Sequence, residues 1–125
     1  MKKVIYSTLA PKAIGPYSQA IMADNTLYVS GQLPILTESG NLIEEKIELQ
    51  TEKVLSHIKS IILEAGFQLT DVVKTTVYLS SMTNFPAMNL VYASFFGDHK
   101  PARVTIEVAR LPKNALIEID CICVK

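Results

Sequence analysis

The chain has 125 residues, with 12 Lys and Arg against 12 Asp and Glu, and a formal net charge of zero. This length suits one domain spanning residues 1–125, which buries roughly two thirds of its unfolded surface but is too small for a deep private cleft, so a site between subunits is expected. Balanced charge without a run of one sign argues against a nucleic-acid partner, and no apolar stretch has the length of a signal-peptide core or a membrane span, so no membrane partner and a cytoplasmic location are expected.

From the N-terminus, Lys3 to Tyr6 is a possible extra strand. Tyr17 to Met22 and Thr26 to Ser30 are two short strands, with Asp24 and Asn25 as the turn of a hairpin. The segment "GQLPILTESGNL" reads as a loop, punctuated by Gly31, Pro34 and Gly40. The clearest element is a helix. Ile47, Val54, Leu55, Ile58, Ile61, Ile62 and Ala65 fall on one apolar face, Glu44, Glu45 and Glu48 suit its N-terminal end, and Gly66 ends it. The stretch "DVVKTTVYLS" alternates as a strand, with Val73, Thr75, Val77 and Leu79 on one face and Lys74, Thr76 and Tyr78 on the other. A second helix follows, capped by Thr83 or Asn84 and with Pro86 in its first turn. Phe85, Met88, Tyr92, Phe95 and Phe96 form its packing face, and Gly97 ends it.

The remaining stretch, "PARVTIEVARLPKNALIEIDC", reads as two strands joined by a Pro-Lys-Asn turn. The order strand, strand, helix, strand, helix, strand, strand predicts an α+β fold, with two helices on one face of a mostly antiparallel sheet. The other sheet face then lacks a cover, and the strands carry apolar residues on both faces. An oligomer is expected.

Charged groups inside the last two strands are the candidate chemistry. Arg103, Thr105 and Glu107 share one face, as do Glu118 and Asp120 on the following strand. If the two strands form a hairpin centred near Pro112 and Lys113, Glu107 lies opposite Glu118. Arg103 is then on the same face as Glu118, roughly 13 Å further along. Arg103 is either one half of an ordinary ion pair or a clamp for a carboxylate, for which the planar, permanently charged guanidinium is well suited. Cys121 and Cys123 point the same way along a strand, roughly 6.6 Å apart, which suits buried small hydrophobes better than a disulfide or a metal site. His57 on the flank of the first helix and His99 in a loop read as solvated, and no metal site is expected.

At these residues the chain resembles the RidA (YjgF) family of reactive-intermediate deaminases. "PARVTIEVARLPKNALIEI" is similar to the family's C-terminal signature and "APKAIGPYSQAI" to its N-terminal motif. "VSGQLP", "VVKTTVYLSSM" and "FPAMNLVYASFF" continue the likeness over essentially the whole chain. The resemblance implies a chorismate-mutase-like α+β fold, related to the ferredoxin-like arrangement, and a homotrimer with ligand sites between subunits. It also implies hydrolysis of enamines and imines such as 2-aminoacrylate and 2-aminocrotonate to 2-keto acids and ammonia, with no cofactor. By the same resemblance Arg103 grips the substrate carboxylate, Glu118 stands near the attacking water and Tyr17 is in the wall. Gly31 and Asn89 contact ligand and Phe85 packs beside them. Thr105 replaces a cysteine common in the family, whose backbone N–H helps to bind the carboxylate. Each residue also has a plain alternative: Glu118 as a surface strand residue, Tyr17 as an interface aromatic, Gly31 for backbone shape, Asn89 as a cap. Two other functions share the motifs: a regulatory protein that binds small carboxylates without turnover, and a ribonuclease or translation inhibitor, which the neutral charge disfavours.

Overall fold

In the computed structural model, which describes residues 1–125, helical periodicity produces α1 at Ile47–Glu64 and α2 at Phe85–Phe96. Val54, Leu55, Ile58, Ile61 and Ile62 of α1 are all buried against the sheet. At roughly 1.5–3 kcal/mol per buried aliphatic side chain, this face outweighs the absence of a side-chain cap at Lys46. Glu44 lies before the helix, paired with Lys46 at 3.1 Å. Gly66 ends α1 at φ +83, and Gly97 ends α2 at φ +62, conformations that glycine adopts without a Cβ penalty.

The strands are β1 (Lys2–Ile5), β2 (Ala20–Ala23), β3 (Thr26–Gln32), β4 (Val72–Leu79), β5 (Ala102–Glu107) and β6 (Ile117–Val124). They form one sheet in the order β1-β2-β3-β6-β4-β5, antiparallel except for the β4–β5 pair. Both helices connect strands and pack on one face, over a core that also takes in Leu27, Phe67, Val77, Leu79, Ile117 and Ile119.

The expected terminal hairpin does not form. β5 pairs in parallel with β4 at the sheet edge, and β6 inserts between β3 and β4. Burial explains the choice. Ile117, Ile119, Cys121 and Cys123 of β6 are all buried, as a central strand requires, whereas Val104 and Ile106 of β5 remain 41% and 40% exposed. The turn at Pro112–Asn114, with Lys113 and Asn114 at φ 60 and 59, lies in a connection that carries the chain past β4.

Two further expectations change. A register shift between Val72 and Lys74 places Val72 in the core and leaves Val73 43% exposed, while Thr75, Val77 and Leu79 face inward. Neither histidine is free in solvent. His57 is buried and its Nε2 lies 2.7 Å from the Ile35 carbonyl, and His99 is half-buried with Nε2 2.7 Å from the Val72 carbonyl. Cys121 and Cys123 are buried free thiols.

Burial pushes the His57 pKa below its ordinary value, and the Lys53 charge acts in the same direction against the Ile35 hydrogen bond. The unfolded chain therefore binds a proton more readily than the folded one. Stability contributed by neutral His57 is complete above the ordinary value of 6.5 and is lost as pH falls below it. The thermal midpoint should drop between about pH 7 and pH 5, and His57→Gln should flatten that part of the curve. An unchanged slope in the variant would assign the acid lability elsewhere.

Candidate active site

Strand register decides where each candidate points. On β4, Thr75 lies opposite both Arg103 of β5 and Cys121 of β6, and Thr75 and Cys121 are buried beneath the helices. Tyr78 lies opposite Ile106 and Glu118, three residues further on and on the other face. Arg103 and Glu118 are thus on opposite faces of the sheet within one chain, not on a shared face.

The first cluster surrounds Arg103. Phe85, Asn89 and Tyr92 recur along one side of α2, directly above the β5 end of the sheet. Arg103 Nη1 donates to Asn89 Oδ1 at 2.8 Å, and its guanidinium carbon lies 4.7 Å from the Tyr92 ring centre and 5.5 Å from that of Phe85. The chain's two salt bridges are Met1–Asp24 and Glu44–Lys46, so Arg103 has no carboxylate partner within its own chain. No ion pair within the chain holds it. A half-buried guanidinium with one amide oxygen and two aromatic faces keeps most of its N–H donors uncommitted, an arrangement chemically able to accept an anion.

Thr105 reinforces this. Its Oγ1 is buried without a hydrogen-bond partner, which costs about 1–3 kcal/mol unless a ligand or a neighbouring chain supplies one. The Val108 N–H donates to the Leu79 carbonyl of β4. By strand alternation the N–H groups of Arg103 and Thr105 then point away from β4, toward the open sheet edge. Asn89, Tyr92 and Arg103 also line a cavity of about 400 Å³ with Phe96, His99 and Lys100.

The second cluster is on the helix-free face. A Cβ on Gly31 would overlap Glu118 Oε2 and approach its Cδ to 2.9 Å, so glycine is there to admit the carboxylate. Burial raises the Glu118 pKa, and the nearby Asp120 charge raises it further. Asp120 accepts a hydrogen bond from the Tyr78 hydroxyl at 3.0 Å. Tyr17 precedes a segment tied alongside β3, where Ser30 Oγ donates to the Ser18 carbonyl at 2.6 Å and Ser30 N–H to the Gln19 carbonyl at 2.9 Å. Tyr17 is 53% exposed and lines a cavity of about 330 Å³ with Tyr6 and Lys12.

The structure therefore brings Arg103, Asn89 and Phe85 together, with Thr105 beside them, and separately joins Gly31 to Glu118 near the Tyr17 segment. It does not unite the two groups in one chain. Tyr92, read from the sequence as a packing residue, and Thr75, read there only as one face of a strand, belong to the first cluster. The signal was an amide at position 89 on the same helix face as Phe85 and Tyr92, since an amide facing a sheet among aromatics requires a polar partner.

Residues 7–125 match the family described as endoribonuclease L-PSP. A RutC family protein of Pyrococcus horikoshii is 54% identical over 125 residues, covering 100% of this chain and 99% of that one. The 2-iminobutanoate/2-iminopropanoate deaminase of Mus musculus is 40% identical over 125 residues, covering 100% and 93%. The crystal structure of E. coli TdcF with bound serine superposes with a TM-score of 0.94 at 35% identity, covering 98% of each chain. Its likeness extends to the two helices on a six-stranded, mostly antiparallel sheet.

Proposed function

Since the chain belongs to the endoribonuclease L-PSP (YjgF/RidA) family, we propose that it is a deaminase that hydrolyses small 2-imino acids and their enamine tautomers, such as 2-aminoacrylate and 2-aminocrotonate, to 2-keto acids and ammonia. The observation that carries this reading is the uncompensated Arg103, oriented by Asn89 and set beside an unpartnered Thr105 hydroxyl. A substrate carboxylate supplies what both groups lack. Once gripped there, its imine carbon is held in position for water.

Glu118 is the proposed partner for the water step. Burial, and then the Asp120 charge, raise its pKa above the ordinary carboxylate value, which makes it a better proton acceptor than an ordinary exposed carboxylate. Because Arg103 and Glu118 are on opposite faces, they can serve one substrate only where one subunit's Arg103 edge meets another subunit's Glu118 face. The apolar helix-free face supports such an assembly: Tyr28, Val104, Ile106 and Val124 are 39% to 50% exposed there. A homotrimer is the expected state, and light scattering giving a monomer at micromolar protein would overturn it.

The test of function is release of pyruvate and ammonia from 2-aminoacrylate generated by a dehydratase. A protein that binds pyruvate yet leaves the release rate at its spontaneous value would be a carboxylate-binding regulator instead. E. coli TdcF, with its bound serine, is a relative that holds a small carboxylate. A net charge of zero, with no run of Lys and Arg along the sequence, lends no support to the family's ribonuclease name.

The acid limb of the rate profile reports Glu118. Removing the neighbouring charge with Asp120→Asn takes away a like-charge repulsion and lowers the Glu118 pKa, so turnover should begin at lower pH. An unmoved acid limb would mean that a different group titrates.

A further inference from the structure

We propose that Tyr92, anchored by Thr75, is the positioning residue that fixes the plane of the Arg103 guanidinium. The proposal deepens the deaminase reading, since it concerns how the carboxylate clamp of that reading is oriented.

A guanidinium on a flexible stem has two orientations to fix before it can present a fork to a carboxylate. One is the tilt of its plane, the other its rotation within that plane. The Asn89 Oδ1 hydrogen bond at 2.8 Å constrains the rotation. A single bond of this kind leaves the tilt free. The Tyr92 ring, with its centre 4.7 Å from the guanidinium carbon, supplies a flat surface against which the tilt is set.

The ring must itself be held. Tyr92 is buried, and its hydroxyl lies 2.7 Å from Thr75 Oγ1, also buried. Thr75 sits on β4 directly opposite Arg103. The strand pair that carries Arg103 therefore also carries the anchor for the ring that orients it, and displacement of α2 cannot change one without the other. Phe85, at 5.5 Å, offers a second aromatic surface but has no polar anchor. Nothing in a purely hydrophobic role for Tyr92 calls for a hydroxyl pinned at that one register position.

Three variants separate positioning from packing. Tyr92→Leu removes the ring and should raise KM for 2-aminoacrylate and Kd for pyruvate together, by about two- to thirtyfold, with a smaller change in kcat. Tyr92→Phe leaves the Thr75 hydroxyl buried and alone, so its thermal midpoint should fall. Adding Thr75→Val removes the orphan and should restore the midpoint, yet KM and Kd should stay raised because the ring is no longer pinned. If restoring the midpoint also restores KM and Kd, Tyr92 is a packing residue and the proposal is wrong. An NMR readout stands apart from turnover. The Arg103 Nε–H proton, close to the Tyr92 ring, should shift in Tyr92→Leu and move toward that position in the Tyr92→Phe, Thr75→Val protein. If the wild-type protein neither deaminates nor binds pyruvate, the deaminase reading fails. The resonance then decides the positioning claim, and an Nε–H shift unaffected by all three variants overturns it.

Discussion

Arg103→Ala should abolish pyruvate binding and deamination of 2-aminoacrylate together. Each charge-assisted hydrogen bond lost to a carboxylate costs on the order of 1.5–3 kcal/mol, about tenfold to over a hundredfold in affinity, and a two-pronged grip exceeds this. The fold should tolerate the change, because Arg103 has no ion-pair partner in its own chain to strand when it is removed. Arg103→Lys keeps the charge but forfeits both the planar fork and the stacking on Tyr92, so it should remain impaired. Pyruvate titration and steady-state deamination on folded, assembled protein measure both effects. Wild-type rates in Arg103→Ala would reduce the residue to a structural role and remove the clamp from the mechanism.

The second large effect is expected from a methyl group. Gly31→Ala places a Cβ on top of the Glu118 carboxylate, which must swing away. The displaced atoms are the far end of a flexible side chain, so the cost to folding is about that of a changed rotamer, 0.5–1.5 kcal/mol. Catalysis should suffer more. Glu118→Gln is expected to lower kcat by about a hundredfold or more, the scale of general acid–base contributions, and Gly31→Ala should follow it in direction. Pyruvate affinity should change much less in both, because the proposed carboxylate grip is assigned to the other cluster. The two variants together test whether the Gly31–Glu118 contact is functional. If kcat is retained in Gly31→Ala but lost in Glu118→Gln, Glu118 matters without needing its observed position. If both retain kcat, the water step must be assigned elsewhere.

The two effects differ in kind, and that difference follows from the sheet. Arg103 sits at an edge strand beneath α2, and Glu118 on a central strand facing away from the helices. On the proposed shared site, dilution should therefore reduce activity as subunits separate, even though each subunit holds every candidate residue. In the same way, mixing Arg103→Ala with Glu118→Gln chains should recover some activity, since a site assembled from one intact edge and one intact face forms in a fraction of the mixed oligomers.

Local pattern by itself determined much of this protein. The spacing of Val54, Leu55, Ile58, Ile61 and Ile62 dictated α1, β-branched alternation dictated β4, and glycines 66 and 97 set where the helices stop, because helical and strand periods are properties of contiguous residues. The motif around Arg103 also pointed to the family, and that resemblance, not residue type, singled out the carboxylate clamp from the ion pair that the residue alone left open. Tertiary structure alone decided the rest. Alternation says that Arg103 and Glu107 share a face, and separately that Glu118 and Asp120 do, but not whether those faces coincide. That depends on which strands pair, and β6 takes the centre and β5 the edge because burying four apolar side chains of β6 outweighs the short loop closure of a local hairpin. The same non-local burial enclosed His57 under the loop at Ile35, flipped Val73 outward at a bulge, and set the Tyr92 hydroxyl on Thr75 beside Arg103. These are contacts between segments distant in the chain, and they exist only once the sheet has chosen its order.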